Sequence, residues 1–114
     1  MKFSEFKTGP TRSVLAGLGR DWVAILDEAC SFEELRREIV FHNDADVGRF
    51  GAAVRRYASK CSSGEYRLLL AICALADFGH VADELAAGRA GQDITRGCDL
   101  RFRAAIAACV EAAP

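Results

Sequence analysis

Apolar residues recur at three- and four-residue intervals through most of this chain, the spacing that gathers them on one face of a helix. After Gly9 and Pro10, Thr11 caps a short helix that begins near Arg12 and halts around Gly17 and Gly19, with Val14, Leu15 and Leu18 inward. A second runs from about Asp21 to Ala29 and buries Trp22, Val23, Ile25, Leu26 and Cys30. Ser31 and Glu34 stand at capping-box spacing, where each side chain satisfies an orphan amide, and the helix they open continues to about Phe41 over Phe32, Leu35, Ile39 and Val40. The polar run from His42 to Asp46 breaks the pattern, and Asn43 or Asp44 caps the next helix, about Ala45 to Lys60. Its stripe is Val47, Phe50, Val54, Tyr57 and Cys61, and Gly48 and Gly51 in its first turns imply a close approach to the backbone.

A second capping box, Ser62 with Glu65, heads a helix to Asp77 whose apolar residues cover almost every side, which marks it as central. Gly79 kinks or breaks it, Val81 to Ala87 form a short helix, and residues 88–98 are the longest loop. Asp99 caps the last helix, about Leu100 to Ala112, with Phe102, Ile106, Cys109 and Val110 inward. Residues 1–10 are too short to classify and form an N-terminal arm that packs through Phe3 and Phe6. The sum is a single all-α domain, a compact orthogonal or mixed bundle of five to seven short helices, with no internal repeat.

Composition narrows the classes. With 114 residues and 51% apolar content, the chain can bury one core, which a disordered polypeptide cannot. Its net charge of -1 argues against a protein that lives by neutralising phosphates. The longest apolar run, Leu68 to Ala76, is about half of what a bilayer-spanning helix needs, so no membrane span is expected. Charges at Lys2, Glu5 and Lys7 stand where a signal peptide carries its apolar core, which points to a cytoplasmic protein. The five cysteines, Cys30, Cys61, Cys73, Cys98 and Cys109, form no C-x-x-C pair and lie within or beside apolar patterns, as small core residues do.

Candidate chemistry is sparse. His80 has Asp77, Asp83 and Glu84 at ligand-like spacing, and His42 follows Glu38 by four, but the duplicated Glu-x-x-His motif of a di-metal bundle is missing. No nucleophile elbow and no P-loop ending is present, so neither metal nor cofactor is expected. The sharpest surface feature is Arg55, Arg56 and Lys60, to which Arg49 and Arg67 add charge. Such a face either stays solvated or meets an acidic protein or a phosphate backbone. Arg89 and Arg96 in the glycine-bearing loop are placed to meet a partner's carboxylates. Ala104, Ala105, Ala107, Ala108 and Ala112 leave the back of the last helix free for a second packing contact, including self-association.

These features point to a small non-enzymatic interaction module, an adaptor, accessory subunit or inhibitor, that docks the acidic surface of a larger protein. The alternative is a nucleic-acid-associated regulator using the Arg55 to Lys60 face. A metal- or His-dependent enzyme centred on His80 is a distant third.

Overall fold

A computed structural model of the chain describes residues 1–95 and 100–114 and is built of helices. In chain order these are α1 (Phe3–Phe6), α2 (Pro10–Leu18), α3 (Arg20–Glu28), α4 (Phe32–Ala45), α5 (Arg49–Ala58), α6 (Ser63–Leu75), α7 (Gly79–Leu85), α8 (Ala90–Thr95) and α9 (Leu100–Ala112). Among the described residues there is no strand, so the chain is all-α, as the periodicity predicts. The bundle measures 33 × 29 × 25 Å, with a radius of gyration of 12.5 Å. Two helices exceed the expected five to seven, and both are short: α1 has four residues and α8 six, less than one amphipathic repeat.

α6 is the central element. Leu68, Leu69, Leu70, Ala71, Ile72, Cys73 and Leu75 are all buried, because α9 lies along one side and α2, α5, α7 and α8 cover the others. Its capping box forms as expected, Ser62 Oγ accepting the Glu65 N–H at 3.3 Å and Glu65 Oε1 accepting the Ser62 N–H at 2.9 Å. Two glycines let neighbours press onto backbone. A Cβ on Gly64 would lie 2.6 Å from the Phe102 ring of α9, and one on Gly17 would overlap the Tyr57 ring. Tyr57 thus ties α5 to α2, and its hydroxyl donates to Glu65 Oε2 at 2.6 Å.

Cations secure the helix ends. Lys7 Nζ donates to the carbonyls of Asp27 and Ala29, each at 2.8 Å, where the α3 dipole is negative. Arg36 does the same for two helices, donating to Leu75 O at 2.7 Å and to Ala112 O. The N-terminal arm is ordered as expected: Phe6 is buried, and the rings of Phe3 and Phe6 meet Phe32 edge-on at 4.9 and 5.0 Å.

Several expectations need correction. The third predicted helix does not stop at Phe41; α4 continues to Ala45. Asn43 still caps the next helix, but from inside α4: its buried Oδ1 accepts the Phe50 N–H at 2.9 Å. Because α5 begins only at Arg49, Val47 falls in the turn and is 95% exposed instead of joining the buried stripe. Gly48 is there for its left-handed backbone, φ 75°, and nothing lies within 4 Å of where its Cβ would be. The expected loop at 88–98 contains α8, whose Ala90 and Ile94 are buried, while residues 96–99, with Cys98 and the expected cap Asp99, lie outside the described residues. Cys30 is exposed, because α3 ends with Ala29 in an extended conformation that turns the chain off its inner face. On α9, Val110 is 51% exposed; Ala105 and Ala108 are buried beside Phe102, Ile106 and Cys109.

Candidate functional site

A charged concavity lies where α2 turns into α3 against α5. Gly19 makes that turn alone, with φ 146° and ψ 160°, a backbone region open essentially to glycine only. The result is a sharp corner facing α5, whose Arg49, Ala52, Ala53 and Arg56 recur at helical spacing on the side toward it. Between them is a cleft of about 430 Å³, lined among others by Arg20, Asp21, Trp22, Arg49 and Arg56. The alanines leave the space that a larger side chain would fill. Trp22 forms the floor at 2% exposure and meets Phe50 edge-on at 5.1 Å.

The charges in this cleft are unbalanced. Asp21, its single carboxylate, pairs with Arg49, whose guanidinium carbon also stands 5.8 Å from the Trp22 ring. Arg56 Nη2 donates to the Leu18 carbonyl at 3.4 Å, at the end of α2. Arg20, among the described residues, has no acidic partner. It occupies the first position of α3, where the dipole is positive and no side chain caps the open amides. Three arginines and the start of a helix therefore line a cleft that holds one carboxylate, an excess of positive charge.

Of the sequence-predicted residues, Arg49 and Arg56 are brought together here, and Lys60 lies one turn beyond Arg56, exposed. Arg55 points the other way, to Glu84 of α7, with Nη2 at 2.7 Å and Nε at 3.1 Å from the same oxygen. Arg67 is half-buried on α6, Arg89 is exposed between α7 and α8, and Arg96 lies outside the described residues. Arg20 is the residue that sequence reasoning missed. Its one signal is a cation immediately after Gly19, at the end of a helix that disfavours it.

A second cleft, of about 320 Å³, lies on the far side of the Arg49–Asp21 pair and is lined by Ala24, Ile25, Glu28 and His42 as well as by that pair. His42 Nε2 stands 3.6 Å from Glu38 Oε2, its i,i+4 neighbour. His80 is exposed beside the Phe78 ring at 5.8 Å, and Glu84 is turned toward Arg55 instead of toward it. Among the described residues no three His, Cys, Asp or Glu side chains are grouped to hold a metal ion. Nor is any described helix long and apolar enough to cross a membrane.

The thiols fall into distinct environments. Burial pushes Cys73 up to about 12 and raises Cys109 in the same direction; burial and then the Glu65 carboxylate raise Cys61. Since the thiolate is the reacting species, maleimide labelling with peptide mapping will find, among the described thiols, Cys30 modified first and Cys61 later. Cys73 and Cys109 will react only after denaturant is added. Labelling of Cys109 as fast as Cys30 in the native protein would contradict the buried face assigned to α9.

With this geometry in hand, comparison with known proteins adds no family: the chain matches no protein-family model, no curated protein and no solved structure.

Proposed function

We propose that the protein is a binding module, an adaptor, accessory subunit or inhibitor in kind, that docks an acidic segment of a larger protein in the arginine cleft. The observation that carries this reading is the convergence of Arg20, Arg49 and Arg56 on one cleft holding a single carboxylate. Guanidinium groups suit carboxylates because their planar forks pair with both oxygens at once. A segment of protein fits better than a nucleic acid. The chain carries 16 acidic residues against 15 basic ones, so a long polyanion reaching past the cleft gains no further net attraction, whereas a short acidic segment needs none. Buried free thiols at Cys73 and Cys109 suit a reducing, cytoplasmic setting.

Trp22 is the only tryptophan and lines the cleft, so its fluorescence reports occupancy directly. Titration with hexaglutamate at low salt should change Trp22 emission saturably, with an affinity that falls as salt is added. Hexalysine should produce no such change. A tighter response to a single-stranded oligonucleotide than to hexaglutamate would favour the nucleic-acid reading. The absence of any response to hexaglutamate at low salt would overturn the assignment of the cleft.

A further inference from the structure

The ion pair inside the cleft stands where a ligand's carboxylate would. We infer that Asp21 is an intramolecular competitor for the Arg49 fork, and that an incoming acidic segment displaces it; the inference rests on the docking proposed above. Three observations bear on it. Both partners are surface groups, with side chains 43% and 62% exposed, so the pair adds little to folding and exchanges readily for an equivalent carboxylate. Arg49 has a second hold, the Trp22 ring at 5.8 Å, which keeps the guanidinium in place when Asp21 leaves. Finally, the pair forms the wall shared by the two clefts, since Asp21, Trp22 and Arg49 line both.

Displacing Asp21 has two consequences. It frees the Arg49 fork for the incoming carboxylate, so that Arg20, Arg49 and Arg56 act on one acidic segment. It also opens the Asp21 side of the shared wall, leaving Arg49 and Trp22 in place, and extends the binding groove along α3 from Arg20 toward Glu28 and His42. The charge changes sign along that groove, so a segment that is acidic at the Arg20 end and neutral or basic at the Glu28 end fits it best. Asp21 thus lowers the affinity of every acidic segment by the same factor, so that only densely acidic ones bind tightly.

A double-mutant cycle tests this, with hexaglutamate as the probe and Trp22 emission as the readout. Asp21→Asn should bind about fivefold more tightly than the unmodified protein, the gain expected on removing a surface-pair competitor. The same substitution in an Arg49→Ala background should bring almost no gain, because the competitor then has nothing to occupy. If Asp21→Asn gives an equal gain in both backgrounds, its charge acts through space and the competition is wrong, while the docking site stands. If hexaglutamate binds the unmodified protein and Asp21→Asn changes nothing, the inference fails in the same way. If neither protein binds the peptide, the docking assignment falls and this inference with it.

Discussion

Phe50→Ala is expected to lower the stability of the protein by about 3–5 kcal/mol, the range for deleting a fully buried aromatic side chain and leaving a cavity. Phe50 is 0% exposed, and its ring stands between Trp22 and Phe78, 5.1 Å from each. It therefore joins α3, α5 and the start of α7 through aromatic pairs whose geometry adds to the area they bury. For a domain of this size the loss corresponds to a fall of at least about 12 °C in Tm, at roughly 4 °C or more per kcal/mol. Thermal unfolding followed by circular dichroism will show it, and Phe50→Leu, which keeps most of the apolar volume, should fall less. Trp22 emission should also shift to the red as the cleft floor loses its support. A Tm within about 3 °C of the unmodified protein, less than 1 kcal/mol on that scale, would contradict the packing described.

Gly19→Ala carries the second large effect, and its cause lies in the backbone alone. A Cβ there would meet Trp22 Cδ1 at 3.5 Å, an ordinary contact, so no clash is involved. The cost is φ 146° with ψ 160°, a conformation that an L side chain disfavours by about 1–3 kcal/mol. Gly17 presents the opposite case, ordinary helical backbone with a ring lying where its Cβ would be. Gly19 also sets the corner that holds Arg20 and the Leu18 carbonyl opposite Arg56. Relaxing that corner should weaken hexaglutamate binding even at temperatures where Gly19→Ala remains fully folded. A variant with unchanged Tm and unchanged binding would mean that the turn does not need glycine.

What could be read from the sequence follows how local the determining interaction is. α6 was legible because its residues are apolar on every side and Ser62 and Glu65 cap each other three positions apart. α1 and α8 were not, since four or six residues cannot show a period, and their burial of Phe6, Ala90 and Ile94 is settled by neighbours distant in sequence. The run from His42 to Asp46 looks like a break because it is polar. It stays helical because Asn43 spends its side chain on the Phe50 amide, a use that no local pattern reveals. Cys30 and Val110 were misplaced near helix ends, where the last turn is set by tertiary packing and not by phase. At the site, Arg49 and Arg56 share a side of α5 by helical spacing alone. Arg20 joins them only through the corner at Gly19, and Arg55 is withdrawn by Glu84, a residue of α7.

The most direct test of the central claim, that the arginine cleft receives an acidic segment, is the affinity of the Arg20→Glu/Arg56→Glu double variant for hexaglutamate, measured by calorimetry at low salt. Both side chains are exposed, so the fold should tolerate the change to within about 1 kcal/mol. Glu at the first position of α3 even suits the helix dipole better than Arg does. Reversing two of the three guanidinium charges should nevertheless weaken binding at least tenfold, about 1.4 kcal/mol, and flatten its salt dependence. Binding as tight as that of the unmodified protein, in a variant with the same Tm, would show that the acidic segment does not bind in this cleft.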